Sequence, residues 1–172
     1  MDIGAQVVLQ DTINGLLLGG TYATLAVGFS LVWGVLNVVN LAHGALVMLG
    51  AYLTYWLFTT YHVDPLLSLP FCAATLFALG YGLQRLVINQ VIRASFLVTF
   101  LLTFGLDLLI TNLALAAWTA DVRSVTTGYS GSYLALGPLA VPTVRLAGLV
   151  VALVVAAALS WVLTRTQFGI AI

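Results

Sequence analysis

Polar residues in this chain come as brief interruptions between long apolar stretches, and those stretches have the length of a bilayer crossing. Crossing a hydrocarbon core takes ~20 apolar residues, at about 1.5 Å of helical rise each. Five stretches reach or approach that length: roughly Ile13 to Leu36, Ala45 to Thr60, Leu66 to Ile88, Phe96 to Trp118 and Leu146 to Leu163. The second is short unless it borrows residues from the polar break that precedes it, Asn37 to Gly44. Between the fourth and fifth lies an irregular segment, Thr119 to Arg145, rich in Gly, Ser, Thr and Pro. Its centre, Tyr133 to Val144, is apolar enough for the membrane interface or a dip into the protein, but too short and broken to span. The pattern predicts an all-α polytopic membrane helix bundle with about five transmembrane helices. It also predicts a broken-helix segment near residues 37–44, all within a single domain, residues 1–172.

Composition turns that pattern into a statement about solvent. Of 172 residues, 62% are hydrophobic and 6% charged, against roughly 25% charged in soluble domains. Ten full charges cannot clothe a water-facing surface, so lipid must be the solvent for most of it. The charges are Asp and Arg alone, with no Lys or Glu. Net charge is zero and no basic run occurs, which gives no sign of nucleic acid as a partner. The N-terminus carries Asp2 and Asp11 but no basic region or small-residue cleavage site, so the first apolar segment reads as a retained helix. The single Cys72 excludes an intrachain disulfide.

Alternation of spans puts Arg85, Arg93 and Arg165 on one side, and Asp2, Asp11, Asp64, Asp121, Arg123 and Arg145 on the other. Basic residues near span ends favour the cytoplasm. The expectation is an external N-terminus and a cytoplasmic C-terminus. Trp33, Trp56, Trp118 and Trp161 fall near predicted span ends, where interfacial indoles collect.

Small residues let helices approach in lipid. Gly15, Gly19 and Ala23 share one face of the first helix, and Gly20, Thr24 and Gly28 form a ridge beside it. Ala74, Ala78 and Gly82 repeat the spacing in the third span. Each is a candidate packing ridge, although small residues are common in membrane helices anyway.

The candidate chemistry lies in polar residues at membrane depth. Asn37, Asn40, His43 and Gly44 sit within eight residues, bracketed by apolar spans. An ordinary helix-to-helix turn would use Asn and Gly too. The other reading is a broken helix lining a solute pathway, with Gly44 letting the backbone turn, because irregular backbone persists in membranes only where protein or water satisfies it. Asp107, near the middle of the fourth span, costs at least ~2.5 kcal/mol to insert and so must face the interior or a wet path. The alternative is an Asp capped by the Thr103 or Thr111 hydroxyl, or held neutral by burial. His62 and Asp64 before Pro65 read as a loop, and snorkelling accounts for Arg85.

Catalysis finds little footing. His43 and His62 stand about 28 Å apart if the helix between them is regular, so they cannot share a metal. There is no nucleophile–base motif and no Gly-rich phosphate loop. No cofactor is expected on this chain.

The stretch Gly34-Val35-Leu36-Asn37-Val38-Val39-Asn40-Leu41-Ala42-His43-Gly44, continued by Met48-Leu49-Gly50-Ala51-Tyr52, resembles the permease subunits of ABC importers for branched-chain amino acids. Thr103-Phe104-Gly105-Leu106 with Asn112-Leu113-Ala114 looks like that family's later helix, and Asp121-Val122-Arg123-Ser124-Val125 like its external loop. Arg165-Thr166-Gln167-Phe168-Gly169-Ile170-Ala171 is similar to its entry into the cytoplasmic coupling loop, except that Ile170 stands where a basic residue is usual. Family permeases are longer, so the resemblance implies a permease domain truncated before that coupling loop. It implies import of branched-chain, or other hydrophobic or neutral, amino acids across the cell membrane by a transport subunit that is not itself an enzyme. The implied partners are a second permease subunit, two cytoplasmic ABC ATPases and an extracytoplasmic solute-binding protein. A urea or amide permease shares the Asn-Leu-Ala-His-Gly stretch. A channel-like or scaffolding bundle, and a membrane enzyme with sites shared between subunits, are the rivals from other classes.

Overall fold

The computed structural model describes residues 3–36, 38–91, 94–137 and 139–165. They include six α-helices and one hairpin: α1 (Ile3–Leu36), α2 (His43–Tyr61), α3 (Pro65–Leu83), α4 (Asn89–Val91), α5 (Phe96–Trp118), β1 (Tyr133–Leu136), β2 (Leu139–Pro142) and α6 (Thr143–Arg165). A π-helical segment, Gln84–Ile88, joins α3 to α4. Among the described residues, four helical stretches are long and apolar enough to cross a membrane: Gly4–Gly34, Pro65–Val91, Phe96–Trp118 and Thr143–Trp161. The chain is thus a polytopic helical membrane protein. The predicted second span differs from the other four. At 19 residues α2 has the length, but Tyr52, Thr54, Tyr55, Thr59 and Thr60 dilute its apolar character.

The helix ends follow local chemistry. Asp64 caps α3, its Oδ1 accepting the Leu66 N–H at 2.8 Å, with Pro65 in the first helical position where no N–H is needed. His62 closes α2 in a left-handed conformation (φ 54°), and the His62 and Val63 N–H groups satisfy the carbonyls of Phe58 and Leu57. These two residues form a turn, as expected. At the other extreme α1 begins ten residues before the predicted span, because Gln10, Asp11 and Thr12 continue the helix rather than start it.

Contacts divide the chain into two units, residues 1–31 with 126–172 and residues 32–125. In the first, α1 meets α6 where Gly20 backs onto Leu149, so closely that a β-carbon at position 20 would collide with that side chain. The irregular segment expected after α5 contains an antiparallel hairpin, with Tyr133 opposite Pro142 and Leu136 opposite Leu139. Gly137 supplies the positive φ (63°) its turn demands. The Gln10 side chain docks on β2, donating to the Ala140 carbonyl (2.7 Å) and accepting the Ala140 N–H (2.9 Å). One amide thereby serves both outward backbone groups of an edge strand.

In the second unit α2 lies against α3 and α5. Gly50 admits the Leu76 side chain, and Thr54 Oγ1 is 3.4 Å from the buried Cys72 Sγ. Tyr52 stacks on Trp118 with centroids 4.7 Å apart.

Of the expected packing ridges, Gly20 is the residue buried against a neighbouring helix. Gly15, Gly19, Ala23, Ala74 and Ala78 are exposed and Gly82 is half-buried. A β-carbon added at Gly15, Gly19 or Gly82 meets no atom within 4 Å among the described residues. The packed face of α3 runs instead through Ser68 and Cys72. Large apolar side chains cover the outside, Phe77 being 76% exposed. That is an arrangement for lipid or for further helices rather than water.

Candidate functional site at the broken helix

Between α1 and α2 the chain leaves helical geometry and runs through residues 38–42. Val38 and Ala42 are buried and Asn40 is half-buried. Backbone that leaves a helix needs new partners for its polar groups. The Asn40 carbonyl accepts the His43 N–H at 3.2 Å and the Ala42 carbonyl accepts the Leu46 N–H at 3.0 Å, which starts α2. The Val39 carbonyl is met from another helix: Thr103 Oγ1, on α5, lies 2.9 Å away. Thr103 is 0% exposed. It is the eighth residue of α5, about 10 Å along the axis from Phe96, so the break meets α5 well inside its length.

Apolar packing finishes the cradle. Ala42 forms a buried cluster with Ile88 of the π segment and Leu106 of α5, flanked by Leu83, Val87 and Ile110. The small Ala42 side chain is what lets the break lie against two helices at once. Any larger residue there would overpack a site whose neighbours are already in contact.

The structure places the predicted residues as follows. Asn40 and His43 flank the turn, with Asn40 Oδ1 and His43 Nε2 both buried. Asn40 Oδ1 has no hydrogen-bond partner among the described residues. Gly44 does not make the turn. It lies in the first turn of α2 with ordinary helical backbone, while residues 40–42 reverse the chain. Asn37 lies outside the described residues. Asp107 is one turn beyond Thr103 on α5, half-buried, and its carboxylate forms no hydrogen bond or ion pair among the described residues. The expected cap from Thr103 does not form, since that hydroxyl faces the Val39 and Phe100 carbonyls at 2.9 and 3.0 Å. Among the described residues no three His, Cys, Asp or Glu side chains gather to hold a metal.

A second polar cluster escaped the sequence reading. Arg123 Nη2 donates to the Trp118 carbonyl at 2.9 Å, and its guanidinium lies 5.4 Å from the Tyr55 ring centroid and 5.9 Å from that of Trp56. The segment after α5 is thereby tied to the end of α2. Two aromatics ending one apolar stretch and an Arg soon after another were the available signal, but nothing in the order of residues paired them.

Comparison with known proteins places this break in a family. The family described as the permease component of the branched-chain amino acid transport system matches residues 12–172. The chain belongs to that family. Among its relatives, the high-affinity branched-chain amino acid transport system permease protein BraD of Pseudomonas aeruginosa is 25% identical over 134 residues, covering 73% of this chain and 44% of BraD. The permease proteins LivH of Salmonella typhimurium and of Escherichia coli K12 are each 29% identical over 112 residues, 60% of this chain and 36% of theirs. The chain thus spans less than half the length of these curated relatives. No solved structure matches it. Permeases of this family are transport components, and the apolar helices of this chain are those of a multi-pass membrane protein.

Proposed function

We propose that this chain forms part of the solute pathway in a permease subunit of an ABC importer for branched-chain or similar apolar amino acids, in the cell membrane. The observation that carries the reading is the match to the permease family over residues 12–172, with its Asn40-Leu41-Ala42-His43-Gly44 stretch falling at the helix break. The N-terminus is external and the C-terminus cytoplasmic. The partners are a second permease subunit, two cytoplasmic ATPases and an extracytoplasmic binding protein, which the names of the relatives as transport-system components support. Asn37, Asn40 and His43 shape the pathway wall, and Asp107 supplies a further polar group. The N-terminal end of α2 carries the positive end of its helix dipole and suits a carboxylate passing the break. The ridges Gly15-Gly19-Ala23 and Ala74-Ala78-Gly82, exposed but for the half-buried Gly82, seat helices that complete the assembly.

The test is uptake of labelled leucine by cells carrying the transport system with His43→Ala. Uptake falls at least several-fold while the protein remains in the membrane fraction at normal abundance. Unchanged uptake at equal abundance removes His43 from the pathway.

A further inference from the structure

Hydroxyls in membrane helices ordinarily bond their own backbone one turn back. Thr12, Thr24, Thr54, Thr59 and Thr75 all do so here, donating to the carbonyls of Val8, Gly20, Gly50, Tyr55 and Phe71. Two threonines on one face of α5 have a second carbonyl in range besides the one a turn back. Thr103 Oγ1 lies 2.9 Å from the Val39 carbonyl, 64 residues away, and 3.0 Å from that of Phe100 in its own helix. Thr99 Oγ1 lies 3.3 Å from the Val91 carbonyl, at the end of α4, and 3.5 Å from that of Ser95 at the start of α5. Both side chains are buried, Thr99 at 4% exposed and Thr103 at 0%.

Each hydroxyl has one proton and two carbonyls in range, one on a separate segment and one in or beside α5. We propose that Thr103 and Thr99 form a releasable two-rung clamp, by which α5 holds the broken segment 38–42 and the end of α4. Thr103 is then a positioning residue for the solute pathway, a role that rests on the permease reading above. When the break lets go, the Thr103 proton turns to Phe100 and never goes unbonded. The Val39 carbonyl alone loses its partner and becomes an acceptor for water or for a passing ammonium group. Thr99 gives the end of α4 the same choice. Both rungs sit on one helix, so α5 links the end of α4 to the break, with Leu106 and Ile88 as the apolar bearing beside Ala42.

Two substitutions separate the donor from the packing. Thr103→Val keeps the shape and removes the proton, whereas Thr103→Ser keeps the proton and removes a methyl. The clamp is read without reference to transport, as hydrogen exchange of the His43 and Leu46 amides in lipid nanodiscs. T103V accelerates it roughly tenfold or more, the size expected for an orphaned buried carbonyl, and T103S leaves it within about twofold. Equal exchange in T103V and the parent overturns the clamp, as does a larger effect for T103S than for T103V. If T103V does not insert, Thr103→Cys gives a weaker donor of similar size and an intermediate acceleration, and no acceleration there overturns the proposal. Uptake of labelled leucine then tests the role. Loss in T103V with rescue in T103S supports positioning, and faster exchange with normal uptake overturns it. Absence of leucine uptake in the unsubstituted system condemns the permease reading instead, and leaves the exchange result standing.

Discussion

Replacing Arg123 with alanine should loosen the join between the end of α5 and α2, and the contacts of its guanidinium set the size of the effect. The guanidinium makes one charged hydrogen bond, to the Trp118 carbonyl at 2.9 Å, a class worth about 1.5–3 kcal/mol. Its contact with Tyr55 at 5.4 Å adds about 0.5–1 kcal/mol, while Trp56 at 5.9 Å sits at the limit of useful range. Arg123 is half-buried, so water screens part of this and the terms do not add in full. A net loss of about 2 kcal/mol is the reasonable figure, equivalent to roughly a 30-fold shift in a local opening equilibrium. The amide to follow is that of Thr119, which bonds the Leu115 carbonyl at 2.9 Å beside the Arg123 contact. In Arg123→Ala its hydrogen exchange should rise by about that factor, while amides at the centre of α5 stay as they were. Arg123→Lys keeps the charge but not the flat donor that stacks on Tyr55, and should fall between the two. Exchange at Thr119 within about threefold of the parent in R123A would show that the join is held by the stacking of Tyr52 on Trp118 alone.

Three further substitutions test the other unit. Gly20→Val forces a side chain into Leu149 and should destabilise the α1–α6 contact by about 1–3 kcal/mol, lowering the thermal unfolding midpoint in detergent. Gly19→Val, where an added β-carbon has open space, should leave that midpoint nearly unchanged, and equal effects at the two positions would contradict the packing. Gln10→Leu removes both bonds to Ala140, which are exposed and so worth about 1 kcal/mol together. The Ala140 amide should then exchange roughly fivefold faster, and no change would mean that the hairpin edge is satisfied without Gln10.

Apolar run length made four of the spans legible, because the hydrocarbon thickness enforces it, and the short break between the first two was visible for the same reason. What the residue order hid was partnership. A threonine inside an apolar helix reads as harmless, since its hydroxyl normally bonds one turn back, and nothing near Thr103 in sequence points to Val39. Asp107 drew attention as the costly residue of α5, yet the neighbour that touches the break is Thr103. Gln10, Asp11 and Thr12 look like a boundary in sequence, although a helix needs no apolar face to continue into water. The hairpin is hidden because its four-residue strands are too brief to show alternation. The small-residue ridges were legible as ridges, but spacing alone could not say that Gly20 would meet α6 while Gly15 and Gly19 stayed open.

The length of α1 has a consequence for the depth of everything fastened to it. Thirty-four residues rise about 51 Å, more than the roughly 30 Å of a hydrocarbon core, so α1 must tilt or extend into the interface. Gln10 is the eighth residue of α1, about 10 Å from its start, and through it the hairpin is moored to a fixed mark on the helix. Thr143 starts α6 directly from the same hairpin and bonds Ser132 across its base. A tilt of α1 therefore carries the hairpin with it, because Gln10 ties that loop to the helix.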